Sequence, residues 1–87
     1  MVSFSQLESR AERICVVGLG YVGLPLAVRL ASKFNVIGFD INAQRVSELQ
    51  ANQDHTGEIE SAELEATTVD FTADPAAIND SAIVIVT

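Results

Sequence analysis

Gly18, Gly20 and Gly23 stand in the pattern G-x-G-x-x-G (Gly18-Leu19-Gly20-Tyr21-Val22-Gly23), and Asp40 follows Gly23 by 17 residues. These residue types at this spacing suit one chemistry, the holding of a pyrophosphate against bare backbone. Glycine at 18 permits a tight turn, glycine at 20 removes a side chain that would block the anion, and glycine at 23 lets a helix pack closely on a sheet. The N–H groups near Tyr21 and Val22 are then unpaired donors at the positive end of a helix dipole. Asp40 is placed to accept hydrogen bonds from ribose hydroxyls, and its charge repels a 2′-phosphate, so NAD is expected rather than NADP. It also stands where it could cap the following helix. Arg45 bears on the same choice, because a nearby Arg can hold a 2′-phosphate. With Asp40 present, we expect Arg45 to reach the ribose or pack beside the adenine, or else to be a surface helix cation.

Other reactive residue types read as bland. Cys15 lies inside an apolar run and is expected to act as a small buried hydrophobe, with no catalytic role. His55 has no second ligand at metal spacing and is expected to be solvated. Glu58, Glu60, Glu63 and Glu65 have no partner cation in sequence and read as solvent-exposed. Neither a catalytic residue nor a metal ligand emerges.

The elements that must position the glycines follow from patterning. Ile14 to Val17 and Asn35 to Phe39 are apolar, β-branched runs that read as buried strands. Between them, Leu24, Leu26, Ala27, Leu30 and Ala31 recur with helical spacing, and Pro25 falls in the first turn, where its missing N–H costs nothing. Ala43 to Ala51 reads as a second helix and Glu63 to Ala66 as a brief helical turn. Thr67 to Thr72 reads as a third, more polar strand near an edge. Asp74 and Pro75 open a short helix through Ile78, with Asp74 as N-cap. Ala82 to Thr87 reads as a fourth strand. Alternation of strands and helices predicts a parallel sheet with helices on both faces. Apolar runs without alternation suit strands buried on both sides. The expectation is an α/β, Rossmann-type sheet of about four strands in the order 3-2-1-4, occupying residues 14–87. Residues 1–13, with Phe4, Leu7 and Ala11 at helical spacing, are expected to form an extension or short helix. Strand four should be an exposed edge capable of self-association, and the chain reads as the front piece of a longer protein.

Composition excludes several classes. The 87 residues are 48% hydrophobic and 20% charged, which is not the composition of a disordered tail. A single cysteine rules out a disulfide scaffold. The longest apolar runs are far short of the ~18–20 residues of a membrane span. Net charge is −7, and no Lys or Arg follows Arg45, so binding to a nucleic acid is not expected. Without a basic segment leading into an apolar block at the N-terminus, and with one thiol, a cytoplasmic location is expected.

The stretch G-L-G-Y-V-G-L-P-L-A, residues 18–27, resembles the N-terminus of the nucleotide-sugar dehydrogenases, the NAD-dependent UDP-sugar 6-dehydrogenases of capsule and O-antigen synthesis. The resemblance continues through Val36 to Ile41, Arg45 and Val46, the Thr56-Gly57-Glu58 loop, Asp70 to Asp74 and the Ala82 to Thr87 strand. The Leu-Pro-Leu-Ala ending leans toward the UDP-N-acetylhexosamine branch. The resemblance implies oxidation of a sugar primary alcohol to a carboxylate through two hydride transfers to NAD. It also implies a UDP-sugar substrate and a homo-oligomeric parent, with no membrane partner. It maps Gly18, Gly20, Tyr21, Val22 and Gly23 to the pyrophosphate loop, Asp40 to the ribose carboxylate and Arg45 to a basic residue that contacts the ribose. The family's cysteine nucleophile has no counterpart in these residues, so the 87-residue chain alone is expected to be inactive. The competing expectation is a nucleotide-sensing module of a regulatory protein, without catalysis, because fold does not settle function.

Overall fold

The structure is a computed structural model and describes residues 12–87. The expected helix or extension at Phe4, Leu7 and Ala11 lies outside the described residues. Four strands, β1 (Arg13–Val17), β2 (Asn35–Phe39), β3 (Asp70–Thr72) and β4 (Ile83–Val86), form one parallel sheet in the order β3-β2-β1-β4. Four helices connect them: α1 (Gly23–Leu30), α2 (Ala43–Gln50), α3 (Ser61–Ala66) and α4 (Ala76–Asn79). Arg13, placed in the extension by sequence, already pairs with Asn35 in β1.

Successive strand residues face opposite sides of a sheet, and the core divides accordingly. Ile14, Val16 and Val36 pack with Leu24 and Ala27 of α1, Val46 and Leu49 of α2, and Leu64 of α3. Cys15, Ile37 and Phe39 face the other way and meet Ala77 and Ile78 of α4. Helices therefore cover both faces, as the unalternating strands require, but one face carries three and the other a single short turn. The sheet grows from β1 through β2 to β3, then returns to β4 on the far side of β1. That reversal opens a crevice at the carboxyl ends of β1 and β4, where ligands bind in open α/β sheets.

Several boundaries differ from the sequence reading. The third strand is three residues long rather than six. Val69 N–H donates to Thr67 Oγ1 and the Thr68 hydroxyl donates to Ala31 O, so these residues turn their polar groups away from the β2 ladder. The third helix begins at Ser61, two residues early, because Glu63 and Leu64 N–H both donate to Glu60 O. The fourth helix runs Ala76–Asn79, one residue past Ile78; Pro75, with helical dihedrals, stands at the N-cap position in place of Asp74, whose Oδ1 still accepts from Ala76 N–H. The fourth strand is an edge with Ile83, Val84 and Val86 exposed.

Candidate functional site

The glycine loop leaves β1 at the crevice. Gly18 turns with φ of +94°, a region that L side chains rarely adopt. A Cβ on Gly23 would lie 1.6 Å from Gly18 O, so only glycine lets α1 start this close to the loop. A Cβ on Gly20 would meet nothing within 4 Å. The turn and the packing therefore account for Gly18 and Gly23, whereas Gly20 keeps open a space that the protein does not fill. Leu19 is fully buried and anchors the loop over Gly38, where a Cβ would touch Phe71 and Leu19 side-chain carbons at 2.9 and 3.1 Å.

The backbone of the loop is held unit by unit. Leu19 N–H donates to Asp40 Oδ2 at 2.9 Å, and the Thr87 hydroxyl lies 2.9 Å from Gly18 O and 3.1 Å from Val17 O. Helix α1 has no side-chain cap, and its first internal bond runs from Leu24 N to Gly20 O. The N–H groups of Tyr21 and Val22 precede that bond and face no capping side chain. Helix α2 differs: Asn42 Oδ1 accepts from Gln44 and Arg45 N–H. Asn42, not Asp40, is thus the cap of α2. Asp40 instead accepts from Leu19 N–H and, through Oδ1, from Asn42 N–H at 2.9 Å. Each of its oxygens keeps a second lone pair. Gly18 to Gly23, Asp40 and Thr87 line a cleft of about 350 Å³. Tyr21, Val22 and Ile41 are exposed apolar side chains beside these polar groups.

An uncapped helix start, an open position at Gly20 and a carboxylate with free lone pairs fit a dinucleotide's pyrophosphate and ribose. Residues 12–87 match the family model described as "UDP-glucose/GDP-mannose dehydrogenase family, NAD binding domain". The chain belongs to this family. Its relatives include Protein CapL of Staphylococcus aureus, 44% identical over 75 residues, covering 86% of this chain and 18% of that protein. UDP-N-acetyl-D-glucosamine 6-dehydrogenase of Pseudomonas aeruginosa is 54% identical over 61 residues, 69% of this chain and 14% of the relative. A solved ternary complex of GDP-mannose dehydrogenase from Pseudomonas aeruginosa superposes with a TM-score of 0.72 at 26% identity, covering 86% of this chain and 19% of that one. The chain thus spans less than a fifth of the length of these relatives.

Within this NAD-binding domain, the second polar cluster was only partly legible. Arg45 is not a surface cation: it is 6% exposed, and it is absent from the lining of the glycine-loop cleft. Its Nε donates to Leu19 O at 2.8 Å and its NH1 to Asp54 Oδ1 at 2.8 Å, while NH2 is buried without a protein partner. Asp54, one of the acidic residues after Arg45 whose types suggest a solvated face, instead has a fully shielded side chain. Its Oδ1 also accepts from Thr56 N–H and hydroxyl, and its Oδ2 from Glu58 and Ile59 N–H. Burial alone would raise its pKa, but the hydrogen bonds from Thr56, Arg45 and Ile59 outweigh it and hold the carboxyl well below the usual range. The spacing Asp-x-Thr is a turn signal in which the carboxylate bonds backbone two residues on, and it could have exposed this role.

His55 is exposed as expected but not unpartnered. Its Nδ1 lies 2.7 Å from Glu48 Oε1, and its N–H also donates to Glu48. The hydrogen bond from His55 holds the Glu48 carboxyl below its ordinary value. Cys15 is wholly buried, and burial pushes its thiol up, as suits a core residue. Glu58, Glu60, Glu63 and Glu65 are all exposed. Among the described residues no cluster of three metal-ligating side chains occurs, and no helix is long and apolar enough to cross a membrane.

Proposed function

We propose that this chain is the NAD-binding part of a UDP-sugar 6-dehydrogenase that oxidises a UDP-N-acetylhexosamine to the uronic acid for capsule or O-antigen polysaccharide. The observation that carries the cofactor side is the open position at Gly20 beside the uncapped start of α1. Gly18, Gly20, Tyr21, Val22 and Gly23 hold the pyrophosphate, chiefly through backbone N–H groups. Asp40 accepts from the ribose hydroxyls while its bonds to Leu19 and Asn42 N–H fix its orientation. Ile41, 88% exposed next to Asp40, offers an apolar surface for the adenine. Bound NAD supplies the hydride acceptor; these residues bind and orient it.

The sugar class is supported by the names of the relatives, which include UDP-N-acetyl-D-glucosamine and UDP-N-acetyl-D-mannosamine dehydrogenases. Those names also favour catalysis over the sensing module. The catalytic nucleophile, the UDP-sugar site and the homo-oligomeric assembly belong to the whole protein, which is placed in the cytoplasm. The test is NADH formation by the whole protein that carries this chain. UDP-N-acetylhexosamines should yield two NADH per sugar and outpace UDP-glucose, and Asp40→Ala should abolish the preference for NAD over NADP. Faster turnover of UDP-glucose would reject the sugar assignment, and NAD binding without turnover of any UDP-sugar would favour the sensor.

A further inference from the structure

The geometry points to Thr87 as a positioning residue for the cofactor pyrophosphate, reaching from the end of β4 to screen and fix the carbonyl of Gly18. The inference rests on the pyrophosphate reading of the glycine loop.

Thr87 continues the β4 ladder one residue beyond Val86, because its N–H donates to Val17 O at 3.0 Å. Side chains alternate along a strand. Ile85 packs against the cluster that holds Leu24 and Ala27 of α1. Thr87, two residues on, faces the same side, where α1 begins. Its hydroxyl is wedged there between two glycines of the loop. A Cβ on Gly18 would lie 2.9 Å from Thr87 Oγ1, and a Cβ on Gly23 would lie 2.7 Å from it. Besides serving the turn and the helix packing, these glycines make room for a side chain from another strand.

A hydroxyl carries a single proton. Thr87 Oγ1 lies 2.9 Å from Gly18 O and 3.1 Å from Val17 O, so that proton is shared between two carbonyls. Gly18 O is the consequential one. It points at the first residue of α1, since a Cβ on Gly23 would sit 1.6 Å from it. A carbonyl oxygen is partly negative, and left bare beside a helix start it would oppose an arriving anion. The Thr87 proton covers that charge. It also fixes the plane of the peptide joining Gly18 and Leu19, whose other end is held by Asp40 at Leu19 N–H. Gly20, Tyr21 and Val22 continue from that fixed plane along the cleft that Thr87 itself lines. Thr87 thus acts on the pyrophosphate through Gly18 O.

The experiment uses the whole protein that carries this chain. It compares ADP, which bears the pyrophosphate, with adenosine, which lacks it, by displacement of bound NAD. The variants are Thr87→Val, which keeps the shape but has no proton to donate, and Thr87→Ser, which keeps the proton. Thr87→Ala takes the place of the valine variant should that one not fold. In the wild type, ADP should bind more tightly than adenosine. Thr87→Val should weaken ADP about tenfold and leave adenosine unaltered, and Thr87→Ser should keep the wild-type affinity for ADP. An equal loss for both ligands would mean general damage to the fold and overturn the inference. Full ADP affinity in the folded valine variant, or a serine variant as weak as the valine one, would overturn it too. ADP binding no tighter than adenosine in the wild type would overturn the pyrophosphate reading and this inference together.

Discussion

The loop at residues 18–22 and the loop at residues 54–59 are both short connections, yet they treat their N–H groups in opposite ways. In the second, the N–H groups of Thr56, Glu58 and Ile59 all converge on the Asp54 side chain, and Gly57 N–H donates to Asp54 O. Nothing is left over for a ligand. In the first, Leu19 N–H is taken by Asp40, but Tyr21 and Val22 stand at a helix start without a capping side chain. Donors at an exposed helix start are met by water or by an arriving anion, so a helix start kept without a capping side chain marks a place where an anion can bind. The closed loop braces; the open loop binds.

The largest expected effect sets Gly23 against Gly20. Gly23→Ala forces a Cβ onto Gly18 O, a backbone atom that cannot move aside, and should cost more than about 3 kcal/mol, enough to blur or abolish cooperative thermal unfolding. Gly20→Ala meets nothing and has no positive φ to strain. It should leave stability unchanged or raise it by about 0.4–1 kcal/mol, while weakening NAD binding about tenfold or more. If both glycines behaved alike in melting and binding, the distinction between bracing and binding would fail.

Next in size is Asp54→Ala. Removing one partner of a buried ion pair costs about 3–5 kcal/mol, a large share of the about 5–15 kcal/mol typical of a domain. Urea unfolding should show the midpoint falling steeply. A loss within the range of ordinary surface changes would mean that the 54–59 loop does not brace the fold.

The same carboxyl predicts an acid response. Its folded-state pKa is depressed, so its stabilising contribution is complete above the unfolded value of about 3.9 and is lost as pH falls below that toward the folded value. Unfolding free energy should therefore drop progressively as pH falls from about 4 downward, and Asp54→Asn should flatten that slope. An unaltered slope would assign the acid response to other carboxylates. The smallest effect belongs to His55→Ala. It removes an exposed pair with Glu48, should scarcely move the melting temperature, and should return the Glu48 carboxyl toward its ordinary value in a proton titration.

Legibility followed the range of the interactions. Asn35 to Phe39 was read with its exact bounds, because its apolar, β-branched character is local. The glycine pattern and Asp40 were legible for the same reason, since each glycine answers to a turn, a packing distance or an open position. Arg45 was legible as important and not as buried, because its partners Leu19 and Asp54 lie 26 and 9 residues away. Asp40 offered itself as an alternative cap of α2, although Asn42 stands directly before Ala43. The carboxylate was instead recruited across the sheet by Leu19 N–H, a contact that no local pattern encodes.

The most direct test of the central claim, that the open loop and not the braced one receives NAD, is a titration of the chain with NAD followed by its backbone amides. The amides of Gly20, Tyr21, Val22 and Gly23 should move together and saturate, while those of Thr56, Glu58 and Ile59 remain in place. Movement confined to residues 54–59, with the glycine loop unchanged, would contradict it.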